Sequence, residues 1–216
     1  VFHTVMLKDI VERNNIRNVS FLNTLLRYFA DTIGKLSSLN NISKFMKSQG
    51  LDVSVKSIAA YLNYFRDAYL LLTVDRFDIH GKKLLESNEK IYFGDVGLRN
   101  LIAGGERQGD IEKILENIVY QQLVRMGYAV SVGQLRVGEV DFVCTKSNER
   151  LYVQVAYLIA SEETEEREFG SLDNIKDNYP KYVISMTPLV RRSDRQGVVH
   201  LGLREFLKNG FEKKLP

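Results

Sequence analysis

The residues best suited to chemistry stand in two alternating runs, Gly138-Glu139-Val140-Asp141-Phe142-Val143 and Leu151-Tyr152-Val153-Gln154-Val155-Ala156-Tyr157. Apolar and polar side chains alternate with a period of two, and β-branched and aromatic residues are frequent. Both runs therefore read as strands. The polar stretch from Thr145 to Arg150 reads as a turn. If Ser147-Asn148 is a two-residue loop, residues whose numbers sum to 295 face each other. Asp141 then faces Gln154, and Glu139 faces Ala156, with Cβ atoms about 5 Å apart. A carboxylate and an amide oxygen would thus leave one face of one hairpin. Together with Glu116 on the preceding helical run, they could supply three of the hard oxygen ligands that Mg²⁺ takes. Glu116 lies beside the apolar stripe of that run, where a carboxylate needs a metal, a water or a cation as partner.

The elements that must hold these residues follow from pattern. The second half reads as a helix from Asp110 to about Met126, with Ile111, Ile114, Leu115, Ile118 and Leu123 inward. Strands follow at 128–132, 139–144 and 151–157, then a helix from Glu162 to about Lys176. A strand at 181–186, a strand at 198–201 and a helix from Leu203 to Asn209 close the chain. In the first half, Leu7 to Asn14 reads as an entry helix. Ser20, Ser38 and Ser54 are expected to cap helices ending near Gly34, Gly50 and Asp67. Their expected inward residues are Phe21, Leu22, Leu25, Leu26 and Phe29; Leu39, Ile42, Phe45 and Met46; and Ile58, Tyr61, Leu62 and Phe65. Strands at 69–77 and 90–93 enclose the polar loop His80-Gly81-Lys82-Lys83, and Asp95 to Ile102 reads as a connecting helix. Three helices and a two-stranded wing are in winged-helix order, with the Ser54 helix as recognition element. Its outward residues Lys56, Ser57, Asn63 and Arg66, with Lys82 and Lys83 on the wing tip, are the candidate nucleic-acid contacts. The alternative is a helical packing module, because Asp52 and Asp67 flank the two cations of that helix and phosphate capture needs several cations together.

Bulk properties set the frame. The 216 residues, 44% hydrophobic and 26% charged, suit a globular chain of one or two domains. The expected domains are 1–95, winged-helix-like with its entry helix, and 96–216. The formal charge of +3 comes from the first 95 residues, where 13 Lys/Arg stand against 10 Asp/Glu; the remainder balances at 17 against 17. This permits a nucleic-acid contact without requiring one. No stretch approaches the roughly 20 apolar residues that cross a bilayer, and the start lacks a signal-peptide pattern. No membrane partner is expected, and the cytoplasm is the default compartment. The single cysteine, Cys144, excludes an internal disulfide framework. The chain opens on Val1 rather than Met, so a longer parent product is expected.

The family-like runs are Lys90-Ile91-Tyr92-Phe93-Gly94-Asp95-Val96-Gly97-Leu98-Arg99, Leu115-Glu116-Asn117-Ile118-Val119-Tyr120, Glu139-Val140-Asp141-Phe142, Tyr152-Val153-Gln154-Val155-Ala156-Tyr157 and Thr164-Glu165-Glu166-Arg167-Glu168. In this order and at these spacings the chain resembles the C-terminal region of a group of bacterial and archaeal AAA-type ATPases, a domain family of unknown function. The hairpin resembles the core of the PD-(D/E)xK nuclease fold. The resemblance implies a winged-helix-like domain followed by a mixed-sheet, restriction-endonuclease-like domain of α+β or α/β class. It implies a site at Glu116, Asp141 and Gln154, with Mg²⁺ as the ion, and an ATP-binding ATPase domain upstream of this chain. The pattern departs from the nuclease at two positions. Gln154 is neutral where a carboxylate is frequent, and Ala156 stands in place of the lysine that orients the attacking water. Losing one preorganised charge of that kind costs roughly 10²–10³ in rate.

The expectation is therefore a recognition module for DNA or a protein partner, with a catalytically impaired nuclease-like fold. An active Mg²⁺-dependent nuclease and a protein-interaction or oligomerisation module are the alternatives. Gly34-Lys35 lacks the rest of a phosphate-binding loop, and His3, His80 and His200 lack partners at zinc-ligand spacing. No Ser/His/Asp order is supported by an elbow motif. Thr164, Arg167 and Glu168, one turn apart, allow a local side-chain network.

Overall fold

The computed structural model describes residues 10–16, 18–105, 108–188 and 192–212. It divides into two compact units: the residues up to Val74 with Ser87–Gln108, and Asp75–Glu86 with Gly109 onward.

The first unit is built on three helices, α1 (Val19–Asp31), α2 (Leu39–Ser48) and α3 (Val55–Asp67). Ser38 and Ser54 cap α2 and α3 through the amides of Asn41 and Ser57, at 3.2 and 3.1 Å. On α1 the cap is Asn18, whose Oδ1 accepts from Phe21 N at 2.9 Å, and the expected cap Ser20 lies inside the helix. Asparagine and serine cap about equally well, so local sequence leaves that frame open by two residues. The core holds Phe21, Leu22, Leu25, Leu26 and Phe29 of α1 and Ile58, Leu62 and Phe65 of α3, with Phe29 and Phe65 meeting edge to face. Phe45, expected inward, is 40% exposed and lies against Tyr28, with ring centroids 4.7 Å apart. Its neighbour Ser43 is buried instead and donates to Val53 O at 3.0 Å.

A hairpin follows, β2 (Leu71–Asp78) and β3 (Lys83–Phe93), and a short strand β1 (Leu36–Ser37) pairs antiparallel with β3 through Leu36↔Lys90. The two units divide this hairpin, its tip grouping with the second. Asp95 caps α4 (Val96–Ala103) by accepting from Leu98 N at 2.6 Å. Gly94 is required between β3 and α4, because any Cβ there would collide with the carbonyl oxygen of Tyr69. Residues 7–9 of the expected entry helix lie outside the described residues; residues 10–12 form one wide turn, with Ile16 N donating to Val11 O at 3.0 Å.

The second unit is a mixed sheet between helices. After α5 (Ile111–Arg125) come β4 (Ala129–Gln134), β5 (Glu139–Lys146), β6 (Glu149–Ala156), α6 (Glu162–Asp173), β7 (Lys181–Ser185), β8 (Arg192–Arg195), β9 (Val198–Gly202) and α7 (Leu203–Asn209). The order from the hairpin tip is β2-β4-β5-β6-β7-β9-β8. β4, β5 and β6 form an antiparallel meander, β6, β7 and β9 run parallel, and β8 returns antiparallel to β9. Phe142 meets Tyr120 of α5, whereas its neighbour Val143 joins Phe169 and Leu172 of α6 in the core. Successive strand residues point to opposite faces, so the two helices cover opposite sides of the meander.

Candidate functional site

The β5–β6 hairpin has the register expected of a Ser147-Asn148 loop: Lys146↔Glu149, Thr145↔Arg150, Val143↔Tyr152 and Phe142↔Val153. Ser147 takes φ +54°, the left-handed conformation such a tight turn uses. Beyond Phe142↔Val153, side chains take over from the ladder. Asp141 Oδ2 accepts from Val155 N at 2.9 Å, and Asp141 N donates to Gln154 Oε1 at 3.3 Å. The acid and the amide thus each hydrogen-bond the backbone of the opposite strand.

The chain of contacts continues onto α6. Gln154 Nε2 donates to Glu168 Oε2 at 3.0 Å, and Arg167 Nε donates to Glu168 Oε1 at 2.9 Å. Ser171 Oγ stands 3.5 Å from Gln154 Oε1. Glu168 is buried while Arg167 is mostly exposed, so the ion pair spans the surface. The hydrogen bond to Glu168, and then its charge, hold the Arg167 pKa above its usual value, and Glu112 at the start of α5 adds to the effect. Glu116 is also buried, and its Oε1 accepts from Lys113 Nζ at 2.5 Å, one helical turn earlier. Asp141, Gln154 and Glu168 are therefore one hydrogen-bonded cluster, and Glu116 is neutralised from its own helix. Among the described residues, no three His, Cys, Asp or Glu side chains converge as a metal-holding group.

α5 departs from its sequence pattern at this point. Glu116, Asn117 and Tyr120 are buried with Leu115, Val119 and Leu123, whereas Ile111, Ile114 and Ile118 are half-buried. The buried face is rotated toward its polar residues, each of which has interaction partners. Glu168 is the site residue that sequence reasoning left without a role. Its signal was the Arg167-Glu168 pair on an otherwise acidic helix start. Three lysines of the second unit that could stand in for the one missing at Ala156 are engaged elsewhere: Lys146 Nζ donates to Met126 O at 2.8 Å, Lys176 Nζ to Asp173 O at 2.9 Å and Lys181 Nζ to Asp177 O at 2.8 Å. Cys144 is buried, which pushes its thiol pKa up and keeps it unreactive.

The candidate nucleic-acid residues fall in two places. Lys56, Asn63 and Arg66 are exposed on α3 in the first unit, within about 80° of one another around the helix axis. Lys82 and Lys83 are exposed at the hairpin tip in the second unit. There, Asp78 Oδ1 accepts from the amides of His80 and Gly81 at 3.1 and 2.9 Å. Its pKa is lowered by the Gly81 bond first, and Lys83 and His80 contribute as cations.

The structure also joins residues that the sequence kept apart. Ser185 Oγ lies 2.8 Å from His200 Nε2, and the same hydroxyl meets Thr187 Oγ1 at 2.8 Å and Thr187 N at 3.1 Å. With three partners the serine oxygen is saturated, so this is a knot tying β7, β9 and the following loop. Burial disfavours the charged imidazole, and Glu165, itself paired with Arg195 at 3.3 Å, opposes that effect, leaving the His200 pKa below 6.5. The folded chain therefore binds fewer protons than the unfolded one in that window. The contribution of His200 to stability is complete above pH 6.5 and is lost as pH falls through the folded pKa. Urea midpoints measured from pH 7.5 down to pH 5 should fall more steeply for the wild type than for His200→Asn.

The chain is similar in sequence to proteins of two organisms. An uncharacterized protein of Haemophilus influenzae is 37% identical over 185 residues, covering 86% of this chain and 45% of that protein. An uncharacterized protein of Methanocaldococcus jannaschii is 31% identical over 179 residues, covering 80% of this chain and 39% of that protein. The chain thus spans less than half the length of either relative. Among solved structures, protein VC1899 from Vibrio cholerae aligns with 89% of this chain and 50% of its own at 12% identity and a TM-score of 0.30. Residues 1–109, half of the chain, match the model of the family described as Domain of unknown function (DUF8612), and the chain belongs to that family.

Proposed function

We propose that this chain is a non-catalytic recognition module of a larger AAA-type ATPase. In this reading the first unit is winged-helix-like and holds duplex DNA through α3. The second keeps a PD-(D/E)xK nuclease-like scaffold without cutting. The observation that carries the reading is the closed polar cluster. Asp141 is committed to Val155 N, Gln154 to Asp141 N and Glu168, Glu168 to Arg167, and Glu116 to Lys113. Carboxylates poised for a divalent ion would keep oxygens aimed at a common point. DNA is favoured as ligand by the exposed Lys56, Asn63 and Arg66 on one side of α3, donors suited to phosphates and base edges.

A second reading, an active Mg²⁺-dependent nuclease, is favoured by Lys113 and Arg167, cations at the acid positions where Ala156 supplies none. One titration separates the two. Fluorescence anisotropy with a labelled duplex, at several salt concentrations and with or without Mg²⁺ or Mn²⁺, should show salt-dependent binding and intact DNA. The double variant Lys56→Glu/Arg66→Glu should weaken binding by about tenfold or more. It should also flatten the log–log salt dependence by roughly two units. Cleavage that disappears in Asp141→Ala would establish the nuclease. Absence of binding at low salt, with a defined protein complex in solution, would make the chain a protein-interaction module.

A further inference from the structure

The second unit's sheet also carries an aromatic and cationic stack around Arg150 of β6, with residues other than those of the acidic cluster. Arg150 lies on β6, and its guanidinium carbon is 4.9 Å from the ring centroid of Phe77 and 5.4 Å from that of Tyr179. The guanidinium is thus bracketed by two rings. Its Nε is buried without a hydrogen-bond partner, so Arg150 is held there by stacking on the two rings. Tyr152 OH donates to Asp177 Oδ2 at 2.6 Å, and Tyr179 N donates to Asp177 Oδ1 at 3.2 Å. Lys181 Nζ, which donates to Asp177 O, is 4.0 Å from the same carboxylate. The acid of the cluster is therefore compensated internally, and it fixes the loop that carries Tyr179. Tyr179 itself is 42% exposed.

We infer that Tyr179, backed by Arg150 and Phe77, is a stacking platform for the bases of single-stranded nucleic acid. Every base offers a π-face, and stacking on an exposed aromatic ring beside cations is how such strands are held without sequence preference. A ring braced from behind by a guanidinium loses little freedom when a base lands on it. A duplex conceals its base faces. The ligand of this surface is therefore distinct from the duplex proposed for α3, and the two ideas can fail separately.

The test is anisotropy of the full chain with a fluorescein-labelled oligothymidylate of about 12 nucleotides, within the usual footprint of such surfaces. Binding that weakens with salt is expected. Tyr179→Ala should reduce it by about fivefold or more, as removal of one base-stacking ring does. Tyr179→Leu, which retains an apolar side chain and so guards against misfolding, should lose a similar amount. Tyr179→Phe should bind like the wild type. The inference is overturned if the wild type ignores the oligonucleotide, if Tyr179→Leu binds as well as the wild type, or if the surface instead retains a protein partner.

Discussion

Replacing Arg99 with alanine is expected to destabilise the first unit by about 3–5 kcal/mol, enough to leave it largely unfolded in modest urea. The residue sits on α4 with no exposed surface, and its Nε donates to Ala30 O at 2.8 Å. Ala30 is in the last turn of α1, where backbone carbonyls have no partner within the helix. The guanidinium therefore caps α1 from another helix and opposes the negative end of its dipole. Nη1 also reaches Asn100 Oδ1 at 3.2 Å. Alanine would open a cavity and orphan a buried carbonyl at once. Arg99→Met keeps most of the volume and should recover part of the loss, about half. The remainder then measures the hydrogen bonds. Urea unfolding followed by circular dichroism reads both variants. Equal stability of wild type and Arg99→Ala would show that α1 and α4 are held by apolar packing alone.

Arg99 also shows where pattern reading reaches its limit. An arginine two residues before an apolar Leu101 reads as surface, yet Arg99 is buried and Leu101 is 67% exposed. Periodicity counts apolar side chains and cannot see a carbonyl that needs a donor from elsewhere in the fold. The same blindness produced the rotated face of α5, where Glu116 and Asn117 take the positions expected of isoleucines. β8, with the sequence Arg-Ser-Asp-Arg, has no apolar alternation to detect and exists through its pairing with β9. Local determinants were far more legible. The caps of α2 and α3 follow from single serines, and the β5–β6 register follows from a two-residue loop. That register placed Asp141 beside Gln154, but the continuation to Glu168 depends on how α6 packs across the sheet. No spacing in the chain encodes that directly.

For this reason Asp141 gives the sharpest separation of structure from catalysis, through the sign of a stability change. A carboxylate kept for a metal and left unpaired in the free protein is a burden, and removing it should raise the melting temperature. Asp141 is 5% exposed and accepts a backbone bond from Val155 at 2.9 Å, just where the ladder after Phe142↔Val153 gives way. Asp141→Ala would therefore leave a buried amide without an acceptor and remove a charge-assisted bond. The expected cost is about 2–3 kcal/mol. In a unit of this size that is a fall of roughly 10 °C in Tm. Asp141→Asn retains an oxygen able to accept from Val155 N and should fall by less than half as much. Adding millimolar Mg²⁺ should move neither Tm, because Asp141 Oδ2, Gln154 Oε1 and both oxygens of Glu168 already accept hydrogen bonds within the protein. A rise in Tm for Asp141→Ala, or Mg²⁺-dependent stabilisation of the wild type lost in that variant, would instead identify a site built for a cation.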